Sequence, residues 1–407
     1  MIFRNRPLVR FGAAALLASG AFTALGAPAQ AAGTETDLSL DVVGTRVADG
    51  VEGKLAFVKV TNKGENTPSE LAVRADVSKV DWTKVAPVPA VDGCELEGTE
   101  QQPTAWTCFA AADGLPGAGE TIDLPVVLFK LVDLKEAYSA PVSFTLISKD
   151  DTNADNNTKS ASIEFTKESG ADLAVMADDV KTSVTVKDGK LQFGGDLHAG
   201  DSAALIYTAW NQGDLATAGL KVSVKLPKGV TFSEPLESDC AYDEKLTELV
   251  CTYAALPFVP QEQDTKDGDN ITAGGRFYHL LTVGEDVKAG ALTGGTVSVE
   301  PIMPEKTLTA QSTEIKTMPE NMTALSASDL DPSDNTDGYA VVVAAEGGAG
   351  GGDDTGNDEG GLPVTGAKAG LIGGVGAAVL AAGGAMFLVA RRRRVVLVTP
   401  GDEKPTA

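Results

Sequence analysis

Between residues 37 and 343 the chain is built from short apolar–polar alternations, cut by clusters of Gly, Pro, Asn and Asp. Residues 221–226 (Lys-Val-Ser-Val-Lys-Leu) alternate with period two and predict a half-buried strand. The segments 142–147, 161–165, 296–299 and 339–343 are short and rich in β-branched or aromatic residues, and read as further strands. No stretch of this region carries a helix-period apolar stripe of useful length, and 131–138 is at best one or two turns of helix. The pattern predicts an all-β fold of two tandem antiparallel β-sandwiches.

The alternation repeats on a larger scale. Asp37-Leu38-Ser39-Leu40 opens one copy and Ala171-Asp172-Leu173-Ala174-Val175 the next. Each continues with a strand that ends in an Asn-x-Gly turn, Asn62-Lys63-Gly64 and Asn211-Gln212-Gly213. Each closes on an acidic Asn-containing turn, 151–158 and 329–336, followed by a last strand. The offset between copies grows from 135 at Asp37/Asp172 to 178 at Asn157/Asn335, which places insertions in the second copy, expected around 258–275 and 301–325.

The second copy carries the order Ala171-Asp172-Leu173, then Leu226-Pro227-Lys228-Gly229-Val230-Thr231-Phe232, then Cys251, then Asp334-Asn335-Thr336. This order resembles a large repeat family of bacterial surface proteins, mostly labelled a domain of unknown function. The first copy lacks the Leu-Pro-x-Gly-Val element. The resemblance implies an immunoglobulin-like fold and a surface location, and no particular ligand.

Both ends have a different character. Arg4, Arg6 and Arg10 precede an apolar run, and Ala29-Gln30-Ala31 follows it, the order of a signal peptide cleaved after Ala31. Near the other end stand Leu362, Pro363, Val364, Thr365 and Gly366, then an uncharged stretch 369–390, then Arg391, Arg392, Arg393 and Arg394. A span of that length reaches about 33 Å as a helix, enough for a bilayer core. Four arginines would hold the tail on the cytoplasmic side. Pentapeptide, span and basic stop together resemble the Leu-Pro-any-Thr-Gly cell-wall sorting signal of Gram-positive surface proteins. The resemblance implies a sortase as partner, whose cysteine attacks the Thr365 carbonyl. The Thr365–Gly366 bond then breaks, and a wall-precursor amine resolves the acyl-enzyme. The chain would be held by the membrane before sorting and linked covalently to peptidoglycan afterwards.

These readings divide the chain into a signal peptide (1–31), a first sandwich (32–168) and a second (169–345). A flexible Gly- and Asp-rich linker (346–361), the pentapeptide (362–366), a transmembrane helix (369–390) and a basic tail (391–407) follow. The 33 Lys and Arg face 57 Asp and Glu, a net charge of −24. Removing both ends takes away far more bases than acids, so the exported part is more acidic still. A surface of this sign excludes nucleic acid as a partner. An extracellular protein or glycan remains a partner class, and no cofactor is implied. Cys94 and Cys108 lie close together in one copy, and Cys240 and Cys251 in the other. Export permits disulfides. Of the three connectivities, the local pairing is the most economical.

Candidate chemistry is sparse. Asp151, Asn153 and Asp155 have a D-x-N-x-D spacing that Asp329, Asp331 and Ser333 echo, and alternate oxygens of such a loop could converge on calcium. Neither loop has the glycine or glutamate of an EF-hand, and Asx side chains cap turns by themselves, which is the competing structural reading. The two histidines, His198 and His279, stand in unrelated contexts, and no nucleophile or phosphate-loop motif is present. Acids are so many that a glycosidase-like pair would arise by chance. Trp82, Trp106 and Trp210 could line a sugar platform, but buried sandwich tryptophans are the commoner use. An intramolecular isopeptide bond would need a buried lysine against an amide and an acid.

The expected function is a non-enzymatic wall-anchored stalk or adhesion module. The alternatives are a protein- or glycan-binding adhesin that uses second-copy insertion loops, with Phe277 and Tyr278 near His279 as exposed aromatics, and a wall-associated hydrolase.

Overall fold

The alternating segments are strands throughout. A computed structural model describes residues 35–187, 190–264, 272–303 and 329–345. The signal-cleavage residues Ala29 and Ala31, most of the 301–325 insertion, the linker, residues 362–366, the hydrophobic span and the four arginines lie outside the described residues.

The first sandwich is built from β1 (Leu38–Val43), β2 (Arg46–Val47), β3 (Gly53–Asn62), β4 (Ala72–Asp76), β5 (Val85–Pro89), β6 (Cys94–Thr99), β7 (Gln102–Phe109), β8 (Thr121–Lys130), β9 (Tyr138–Ile147) and β10 (Thr158–Phe165). The second uses β11 (Leu173–Ala177), β12 (Thr182–Lys187), β13 (Lys190–Asp196), β14 (Ser202–Asn211), β15 (Gly219–Lys225), β16 (Val230–Phe232), β17 (Cys240–Tyr242), β18 (Glu248–Tyr253), β19 (Gly274–Val283), β20 (Gly290–Ile302) and β21 (Thr336–Val343).

The repeat read from the sequence is a repeat of topology. One sheet runs β1-β3-β8-β5 in the first copy and β11-β14-β19-β16 in the second. The facing sheet runs β6-β7-β4-β9-β10 and β17-β18-β15-β20-β21, with β2 added in parallel to β10 in the first copy. The second copy adds the β12–β13 hairpin. That insertion was not among those expected. Its trace is the early growth of the offset, from 135 at Asp37/Asp172 to 149 at Asn62/Asn211.

Period-two burial explains the layers. In β3, Ala56, Val58 and Val60 face a core that also holds Val73, Ala75, Trp106, Val126, Leu128, Phe144 and Phe165. In the second sandwich Leu205, Tyr207, Val222, Val224, Leu281, Val297 and Val341 do the same. Trp106 is wholly buried, Trp82 packs at the edge of the same core, and Trp210 lies elsewhere, against Phe57. The three tryptophans therefore form no common platform. Residues 131–137 connect β8 to β9 without a helix, and Tyr138 opens β9.

Both local disulfides are present. Cys94–Cys108 ties β6 to β7 and Cys240–Cys251 ties β17 to β18, each between residues directly opposite in the ladder. Both Asn-x-Gly turns are built alike. Asn62 and Asn211 are buried, and each uses its side-chain oxygen on the glycine N–H two residues on and its amide on two backbone carbonyls. A Cβ on Gly64 or Gly213 would collide with the backbone that opens the same copy, at Glu35–Asp37 and Gly170–Asp172. Glycine is needed here for close approach.

Candidate functional site

The unusual chemistry lies where the two sandwiches meet. β3 and its neighbours supply most of the donors, and the second sandwich most of the acceptors. Gly44 N–H donates to Ser333 Oγ at 3.0 Å, Arg46 N–H to Asp331 Oδ2 at 2.8 Å and Gly50 N–H to Asp214 Oδ2 at 2.8 Å. Gln212 clasps the Leu55 peptide from both sides, accepting from its N–H at 2.8 Å and donating to its carbonyl at 3.0 Å. Phe57 and Trp210 meet edge to face, with centroids 6.1 Å apart.

At the centre is Lys54. Its ammonium is fully buried, 2.8 Å from Asp172 Oδ2, 2.9 Å from Asp331 Oδ2 and 3.0 Å from Asp334 Oδ2. Lysine is almost never buried unless paired. Here burial works against the ammonium, and the three carboxylates overcome it and hold the Lys54 pKa above the ordinary lysine range. One cation cannot neutralise three buried anions. Burial raises the Asp172 and Asp334 carboxyls, to about 7 and about 8, despite the pull of Lys54. Burial also works against the Asp331 anion, but Lys54 and Ser333 hold that pKa below its usual value. The ammonium and the Asp331 carboxylate thus form the firm ion pair, and the other two acids crowd the same charge. Asp172 Oδ1 and Asp334 Oδ1 are buried without a hydrogen-bond partner.

The two copies differ at this pocket. Asp151 and Asp329 do the same work in the two copies. Each accepts from the first-strand amide, Leu38 N–H at 3.3 Å or Leu173 N–H at 2.8 Å, and from the amide two residues on at 3.1 Å. In the first copy Asp37 then accepts from the side-chain amides of Asn153 at 3.3 Å and Asn156 at 2.8 Å. The equivalent positions in the second copy are Asp172, Asp331 and Asp334. Where the first copy has two amide donors the second has two acids, and Lys54 of the other sandwich supplies the donor.

The residues expected to bind calcium are therefore placed in turns. Asp151 and Asp329 close Asx turns, Asn153 bonds Asp37, Asp331 bonds Lys54 and Asp155 is exposed. Among the described residues, no group of three or more His, Cys, Asp or Glu side chains is arranged to hold a metal ion. Lys54, Asp172 and Asp334 were not singled out from the sequence. The available signals were a lysine inside an apolar alternation and the two Asn-to-Asp exchanges between copies.

A second polar cluster lies in the second core. His279 is buried, with Nδ1 3.3 Å from Glu237 Oε2 and Nε2 3.0 Å from the Tyr207 hydroxyl. Tyr242 donates to the same Glu237 oxygen at 2.7 Å. With Nδ1–H directed at Glu237, Nε2 is left to accept from Tyr207. Phe277 stacks on Tyr207 with centroids 5.3 Å apart, so of the two aromatics expected near His279 only Tyr278 is exposed.

No protein-family model and no curated protein matches the chain. Solved structures similar to it include the C-terminal domain of the Streptococcus agalactiae AgI/II polypeptide BspA, at 9% identity, over 65% of this chain and 95% of that one, TM-score 0.18. Others are the collagen adhesin of S. aureus, at 9% identity, over 76% and 93%, TM-score 0.20, and a biofilm-associated protein B domain, at 9% identity, over 66% and 81%, TM-score 0.21. TM-scores at this level establish no shared function.

Proposed function

We propose that the chain is an exported surface protein, anchored to the cell wall by a sortase, that presents two joined immunoglobulin-like sandwiches as a non-enzymatic stalk or adhesion module. The observation that carries this reading is the order of Leu362-Pro363-Val364-Thr365-Gly366, the uncharged span and the four arginines. The two disulfides fit an oxidising exterior. The buried acids and the buried histidine are engaged in turns, the joint and the second core, which supports a structural role for them.

The test is fractionation of producing cells, with mass spectrometry of the C-terminus released from muramidase-treated wall. A C-terminal peptide ending at Thr365 and carrying a wall stem peptide is expected, and Thr365→Ala should leave the protein in the membrane. Wall linkage surviving that substitution would sink the proposal.

The β12–β13 hairpin favours a second reading, an adhesin. Val186 and Phe193 are about half exposed on a two-stranded arm. Replacing both by Ser should abolish adhesion to an extracellular protein or glycan surface while leaving wall anchoring intact; unchanged adhesion would exclude the arm.

A further inference from the structure

We infer that the acidic pocket of the second sandwich is a cation-binding socket whose cation is the Lys54 ammonium of the first sandwich, and that this plug joins the two sandwiches into one cooperative unit. The inference does not depend on wall anchoring.

Three observations carry it. Asp172, Asp331 and Asp334 converge on one point at 2.8–3.0 Å, with side chains no more than 7% exposed. Ionised carboxylates so placed are costly in a low-dielectric interior without a cation among them. Asp172 Oδ1 and Asp334 Oδ1 are buried without a hydrogen-bond partner, and besides Lys54 only the Gln212 amide, at 3.3 Å, reaches the Asp334 carboxylate. Finally, the first copy satisfies the equivalent Asp37 with two neutral amides and needs no cation.

The plug also sets register. Arg46 N–H bonds the same Asp331 oxygen that bonds Lys54, and Gln212, which clasps Leu55, donates to Asp334 Oδ2 at 3.3 Å. Seating the lysine aligns these neighbouring bonds. A buried ion pair contributes little net stability compared with an apolar contact, but it specifies geometry and is strongly destabilising when half removed. The consequence is an inter-sandwich contact that needs no free calcium.

The experiment is hydrogen–deuterium exchange on the detergent-solubilised full chain, read at peptides covering Gly44, Arg46 and Leu55. Wild type should be equally protected in calcium and in chelator. In Lys54→Ala under chelator, protection of these peptides should fall by about a hundredfold while β15 of the second core keeps its own. Millimolar methylammonium, a detached ammonium, should restore most of it; choline at equal ionic strength should not. Full protection of Lys54→Ala without any added cation would overturn the inference, as would failure of methylammonium to rescue it or equal rescue by choline. If Lys54→Ala does not fold, the combination Lys54→Met, Asp331→Asn and Asp334→Asn decides. It copies the first sandwich's arrangement and should stay protected with no cation; an unprotected joint would refute the socket. An intact mass lower by one water, located as an amide on Lys54, would also overturn it, because no ammonium would remain.

Discussion

Lys59 and Asp337 meet at 2.8 Å across the two sandwiches, and the same ammonium reaches Asp123 of its own sheet at 2.9 Å. β3 thus drives two lysines into the carboxylates of its neighbour. Asp337 has a further fixed use, accepting from the Ala177 N–H at 2.8 Å. Lys59→Met should leave Asp337 and Asp123 facing each other and cost about 2 kcal/mol in denaturant unfolding. Asp337→Asn should cost less, since an amide oxygen still serves Ala177. Equal losses from the two variants would show that the charge pairing is not what matters.

Acid should weaken the second sandwich through Glu237. The hydrogen bond from His279, helped by Tyr242, holds the Glu237 carboxyl down at about 2. A lowered folded-state value means that its stabilisation is complete above the ordinary glutamate range, near 4.5, and is lost as pH falls toward 2. Urea midpoints for wild type and Glu237→Gln should therefore differ at pH ~5 and converge toward pH ~2. A constant gap would assign the difference to packing. Glu237 is substantially solvent-exposed, so the gap will be modest.

The two turn asparagines offer a matched pair. Asn62→Ala removes a side chain that satisfies one N–H and two carbonyls, Asn211→Ala one that satisfies two N–H groups and two carbonyls, and each should cost about 3 kcal/mol. Aspartate at either position would keep the acceptor and lose the donors, so it should be as damaging. Thermal melts with a loss below about 1 kcal/mol would mean that water replaces the amide.

The disulfides should matter separately. They close loops with sequence separations of 14 and 11 residues, and each should contribute about 3 kcal/mol by restricting the unfolded chain. Cys251 is fully buried while Cys240 is partly exposed, so Cys240→Ser should be the milder way to open the second bridge. Four thiols alkylated in the folded protein before reduction would contradict both bonds.

Strand content, the duplication and the pairing of nearby cysteines were legible in the residues because each is local. Alternation in 221–226 follows from the two-residue period of a strand, and the Asn-x-Gly turns repeat because close backbone approach there admits only glycine. The partners of Asp329 and Asp331, whose spacing suggests calcium, are not legible for the opposite reason. Spacing shows which side chains lie near one another along the chain; it does not show which distant group will arrive between them. Here that group comes from 277 residues away, where Lys54 breaks an apolar alternation and would pass for a solvated lysine. The sequence by itself determined the strands and their repetition. The packing of one sandwich on the other decided where Lys54 went. Only in the folded chain is its ammonium out of water, and only there do three carboxylates become its sole compensation.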